Sequence, residues 1–144
     1  MTWEDYANVK FQETTEIDES DIRITFKGSW FNSTVGTGAK DYPRGDSMVL
    51  AGLADKYPPT REHCGNILHE FGHALGLQHE HQRPSGGNLL VLDKKEVENH
   101  FAKQVKGQKR KKEQRESANS NILERIEDIE TRNYTNLDTE SIMM

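Results

Sequence analysis

His69, His73 and His79 constrain this chain more than any other feature of its sequence. Residues four apart on an α-helix are offset by about 40° around the axis and about 6 Å along it, so His69 and His73 turn two imidazoles to one side of a helix. His79 lies further on, and an uninterrupted helix would carry it to nearly the opposite side. It joins the other two only if the helix ends between them. Gly76 stands where that ending is needed, because glycine adopts the left-handed conformation that closes helices. Three neutral imidazoles leave one tetrahedral position of a zinc ion open to water, the arrangement of a catalytic rather than a structural site. The expectation is one Zn2+ ion per chain, held by His69, His73 and His79.

Glu70 adjoins the first of these histidines and is offset by about 100°, which places its carboxylate over the open position rather than on the metal. There it suits a general base that takes a proton from water attacking a peptide carbonyl and passes it to the leaving amine. A bare His-Glu-x-x-His is weak evidence. Adding the glycine and the third histidine reduces coincidence to on the order of one chain in 10,000 of this composition. The competing interpretation is a structural three-histidine zinc site, which is unusual because structural sites close the fourth position with protein.

The rest of the chain supplies a scaffold of ordinary domain size. It has 144 residues, with 33% hydrophobic content and a mean hydropathy of -0.90, so part of it contributes little to a core. The net charge of -5 argues against a nucleic-acid partner. No apolar run has the length of a membrane span, and no signal peptide opens the sequence. Cys64 is the single cysteine and cannot form an intrachain disulfide. The pattern predicts an amphipathic helix end over 2–8 with Thr2 as cap, a short strand at Val9 and Phe11, and a strictly alternating strand over 21–27. A glycine-rich loop, an apolar run over 48–53 and the His-bearing helix at about 60–76 follow, the last entered through Pro58-Pro59. A second helix has Asp93 and Glu96 at its start and a Val97/Phe101/Val105 stripe. Residues 106–121 are almost free of apolar side chains and read as a charged flexible insertion. A third helix carries Ile122, Ile126 and Ile129, with Asn121 and Glu124 placed to cap it. Strands first and helices later indicate a single α+β domain over 1–144, with one functional helix packed on a sheet.

The extended motif, the sequel Glu80-His81-Gln82-Arg83-Pro84 and the closing Ser141-Ile142-Met143 together resemble the astacin branch of the metzincin zinc peptidases. Gly28-Ser29-Trp30 with Val35-Gly36 is similar to the loop after that family's second strand. The resemblance implies a metzincin-like fold, a small twisted mixed sheet packed on helices with a zinc-binding active-site helix. It implies metalloendopeptidase activity on a protein or peptide substrate, with His69, His73 and His79 as metal ligands and Glu70 as general base. Met143 takes the place of the Met-turn methionine, and Glu80 that of the residue tied in astacins to the mature amino terminus. Met48, Val49, Leu50, Ala51 and Gly52 correspond, on this resemblance, to the edge strand that pairs with extended substrate. An extracellular location is implied as well. The tyrosine after the Met-turn, the lower cleft wall, the first strand, most of the first helix and the prosegment fall outside this sequence. The expectation is therefore a domain truncated at both ends, with a catalytically impaired zinc-binding remnant as the alternative function.

Other residues have plainer explanations. His63, His81 and His100 read as solvent-facing or locally bonded, and Cys64 as a small buried hydrophobe. Lys109-Arg110-Lys111-Lys112, beside Glu113 and Glu116, reads as a solvated charged segment rather than an anion site.

Overall fold

The computed structural model describes residues 2–56, 58–84, 92–104, 122–124, 126 and 136–144. The predicted insertion at 106–121, Val105 and Ile129 lie outside the described residues. The chain divides into two compact units: residues 1–78 with Met143, and residues 79–142 with Met144.

The first unit carries a three-stranded mixed sheet and the His-bearing helix. β1 (Ile24–Thr25), β2 (Phe31–Ser33) and β3 (Met48–Leu50) lie in the order β1-β3-β2. β1 runs parallel to β3 with Ile24 opposite Met48, and β2 runs antiparallel to it with Phe31 opposite Leu50. This is the mixed sheet expected, with one correction. The reading of residues 48–52 as an edge strand is overturned, because Met48–Leu50 is the central strand and its ladder is occupied on both sides. Its burial says the same: Met48 and Leu50 belong to the core together with Ala39 and Met143.

The strand expected over 21–27 shrinks to two paired residues, with Ile24 and Phe26 exposed. Ahead of it, Arg23 spans the loop that follows β2. Its guanidinium donates to the carbonyls of Gly45, Ala39 and Tyr42, at 2.6, 2.7 and 2.9 Å. Val9 and Phe11 form no strand. The Phe11 N–H donates to Glu4 Oε1 instead, and its ring meets Phe71 edge-on at 5.1 Å. The amino-terminal element is a single 3-10 turn, Trp3–Asp5, capped by Thr2, whose N–H donates to Asp5 Oδ2. Trp3 Nε1 donates to the Leu68 carbonyl and ties this turn to the helix.

α1 spans Arg61–Ala74. Thr60 caps it, its Oγ1 accepting from His63 N–H while His63 Nδ1 accepts from Thr60 N–H. This is a capping box in which histidine replaces the usual Glu or Gln. Pro58-Pro59 keeps the preceding chain extended. At the other end Leu77 N–H donates to the Gly72 carbonyl and Gly76 N–H to that of His73, the paired bonds of a Schellman closure. Gly76 has φ +97, the left-handed backbone that this closure requires. α1 packs on β2, β3 and the two 3-10 turns Trp3–Asp5 and Gly36–Asp41. Cys64 is exposed rather than buried, since it lies in the first turns, away from the sheet-facing side.

In the second unit a 3-10 turn, Glu80–Gln82, follows His79. α2 spans Lys94–Gln104 and begins as expected at Asp93, whose Oδ1 accepts from Lys95 and Glu96 N–H. Of the predicted third helix, only 122–124 and 126 are described. Ile122 and Ile126 are half-buried.

Candidate metal and catalytic site

The described residues contain one group of His, Cys, Asp and Glu side chains that could hold a metal ion, and it is His69, His73 and His79. One ligand atom from each lies within 4.8 Å of the others. Local chain geometry produces the approach. His69 and His73 stand one turn apart on α1, with ring centroids 4.7 Å apart and planes at 89°. The left-handed residue Gly76 then ends the helix, and His79 continues in extended conformation at φ -61, ψ 131.

A hydrogen bond selects which nitrogen of the His73 ring bears the proton. His73 Nδ1 lies 2.8 Å from the Leu77 carbonyl. A carbonyl oxygen only accepts, so Nδ1 carries the hydrogen and Nε2 the lone pair. Burial also holds the His73 pKa below its ordinary value, with the neighbouring His69 acting in the same direction and the Leu77 bond opposing both. The neutral imidazole that results is the form a metal binds. His81, which the sequence leaves without a role, stacks on His79 at 5.2 Å with planes 19° apart.

Glu70 is 6% exposed, and its Oε2 has no hydrogen-bond partner among the described residues. Burial pushes its pKa up from 4.5 to about 7. Glu70 directly follows His69 in α1, and an orphaned buried carboxylate is costly unless a cation or a polar ligand completes it. The donor set is therefore one that zinc fits, with three nitrogen ligands and an acid next to them.

Beneath this helix lies Met143, 3% exposed. It packs against Gly72, where an added Cβ would collide with Met143 Sδ and would stand 3.1 Å from Trp3 Cζ2. The glycine at position 72 is thus needed for the close approach. Glu80 accepts from Arg83 Nη1 at 2.6 Å and from Asp138 N–H at 3.1 Å, while the same Arg83 nitrogen also donates to the Asn136 carbonyl.

Comparison with known proteins finds relatives along most of the chain. Residues 1–143 match the model of the peptidase family described as Astacin. The chain is 32% identical over 99 residues to astacin-like metalloprotease toxin 1 of Loxosceles intermedia, covering 68% of this chain and 33% of that protein. It is 29% identical over 94 residues to zinc metalloproteinase nas-36 of Caenorhabditis elegans, covering 64% of this chain and 13% of that protein. Among solved structures it is similar to myroilysin, with a TM-score of 0.72 and 30% identity, covering 98% of this chain and 65% of that one. The match to the first of these relatives spans about a third of the relative's length.

Proposed function

Since this chain belongs to the astacin family of peptidases, we propose that it is a zinc metalloendopeptidase that hydrolyses peptide bonds in protein or peptide substrates. The observation that carries the proposal is the convergence of His69, His73 and His79, with the buried Glu70 next after His69 on the same helix. The three imidazoles would hold the metal through neutral ring nitrogens. A zinc ion so held would supply Lewis acidity, enough to lower the pKa of a nucleophilic water to about 7.

The remaining work falls to the chain's own groups. Glu70, with its pKa raised to about 7, is matched to taking a proton at neutral pH, as a general base requires. Its Oε2 faces no competing donor among the described residues, so the proton comes from water and goes on to the leaving amine. The Leu77 carbonyl keeps the His73 ring in its binding tautomer. Met143 supports the helix from below at Gly72. Two relatives bear the name of toxins, and we place this chain's action outside the cell on the same footing. No helix among the described residues is long and apolar enough to cross a membrane.

The test is cleavage of a denatured protein by the zinc-supplied chain, with Glu70→Gln as control. The expected result is cleavage abolished by chelation and reduced at least 100-fold by the substitution, within the usual contribution of a general base. Zinc bound without Glu70-dependent cleavage would instead identify a zinc-binding remnant of such a domain.

A further inference from the structure

Gln82 lies three residues after the third histidine and plays no part in the mechanism above, yet this polar side chain is only 4% exposed. Its Oε1 lies 2.9 Å from His79 Nδ1. Its Nε2 donates to the backbone carbonyl of Glu124 at 2.9 Å. Its own backbone is held too, the carbonyl accepting from Ile126 N–H at 3.0 Å and the N–H donating to the His79 carbonyl at 3.1 Å. Glu124 and Ile126 therefore hold Gln82 through both its side chain and its main chain.

These contacts have one consistent polarity. The Glu124 carbonyl has no hydrogen to give, so the amide nitrogen of Gln82 must face it, and the opposite orientation would set two oxygens against each other. That leaves the amide oxygen toward His79, and an oxygen acceptor there requires hydrogen on Nδ1. Nε2 of His79 then carries the lone pair. The histidine side chain free in water favours the opposite tautomer, with hydrogen on Nε2, so the preference is imposed from outside the ring.

We infer that Gln82 is a positioning residue, which relays the polarity of the Glu124 carbonyl to His79 and fixes both the tautomer and the ring plane of the third metal ligand. The inference deepens the zinc reading proposed above and rests on it for its purpose, though the tautomer itself is a property of the metal-free chain. It also explains why a polar side chain is buried here at all. His73 takes its tautomer locally, from a carbonyl on its own turn. His79 lies past the helix end, and its Nδ1 meets Gln82, whose amide is oriented by the carbonyl of Glu124, 42 residues further along the chain than Gln82. Groups that orient a metal-bound imidazole in this way typically contribute 10- to 100-fold to metal affinity.

The experiment has two arms. Nitrogen-15 long-range correlation spectra of the metal-free chain, at a pH where His79 is neutral, report which ring nitrogen is protonated. Chelator competition then measures zinc affinity for the parent chain, Gln82→Leu and Gln82→Glu. The expected results are Nδ1–H on His79 in the parent, loss of that preference in Gln82→Leu, and a 10- to 100-fold weaker zinc affinity for that variant. Gln82→Glu keeps an acceptor for Nδ1–H and brings affinity back toward the parent value, although it forfeits the bond to Glu124. Nε2–H on His79 in the parent overturns the inference without recourse to any variant. Parent-like zinc affinity in Gln82→Leu overturns it as well. A parent chain that takes up no zinc refutes the metalloenzyme reading instead, and the spectra still decide the tautomer.

Discussion

Replacing Gly72 with alanine separates two effects of opposite sign at one position. Inside a helix, alanine is favoured over glycine by about 1 kcal/mol. Position 72 lies within α1, so helix propensity alone predicts stabilisation. The new methyl would, however, collide with Met143 Sδ and sit 3.3 Å from Met143 Cε and 3.1 Å from Trp3 Cζ2. Crowding of this kind in a packed interior costs roughly 1–3 kcal/mol, and Met143 is 3% exposed with little room to retreat. The direct collision calls for the upper half of that range, so after the gain in helix propensity the expected net effect of Gly72→Ala is a loss of roughly 1–2 kcal/mol, a lowering of Tm by about 2–8 °C for a chain of this size. A Met143→Ala background provides the decisive comparison. That change is itself destabilising by roughly 2–5 kcal/mol, but it vacates the space the new methyl needs. In that background Gly72→Ala should be neutral or stabilising, with only the Trp3 contact left to set against helix propensity, a coupling of at least about 1 kcal/mol. Urea denaturation of the four proteins of the cycle measures it. An equal cost of Gly72→Ala in both backgrounds would refute the claim that Met143 occupies the space over this glycine, and stabilisation by the single change would refute it outright.

Two further outcomes follow from the same geometry. Glu70 holds its proton more tightly folded than unfolded, with a pKa near 7 against 4.5, so its contribution to the metal-free chain is fully present below about pH 4.5 and is lost as pH rises to about 7. The loss amounts to roughly 3 kcal/mol at about 1.36 kcal/mol per pH unit, and the stability difference between the parent and Glu70→Gln across that window should show it. A difference independent of pH would contradict the buried setting assigned to this carboxylate. Gly76→Ala places a side chain at φ +97 with nothing within 4 Å of its Cβ, so the cost is conformational alone, about 1–2 kcal/mol. Because the Schellman closure aims the chain at His79, the same change should also weaken zinc uptake in chelator competition, and full retention of both stability and affinity would dismiss that role.

Much of the site is legible in the chain because its determinants are local. Thr60, Pro58-Pro59 and Gly76 delimit α1 by their own conformational preferences, and His69, His73 and His79 are brought together within that short stretch. The strands are harder to read because pairing is not local. Residues 21–27 alternate throughout, but the ladder with β3 extends only over Ile24 and Thr25. Val9 and Phe11 alternate too, yet with no partner strand among the described residues the Phe11 backbone turns to Glu4 and its side chain to Phe71. The same limitation applies to Met48–Leu50, which looks like any short apolar strand in sequence and proves central only once β1 and β2 flank it. Gln82 escapes a sequence reading for a related reason. Its three-residue spacing from His79 is visible in the sequence, but the Glu124 carbonyl that gives the spacing meaning is a backbone atom distant along the chain.

The central claim is that three imidazoles of this chain grip one divalent ion, and zinc titration of the metal-free protein tests it most directly. The account predicts saturation at one equivalent for the parent and for Glu70→Gln, with affinity reduced by orders of magnitude on replacing any one of His69, His73 or His79 with alanine. Binding that survives His79→Ala undiminished, or no zinc uptake by the parent, would contradict it.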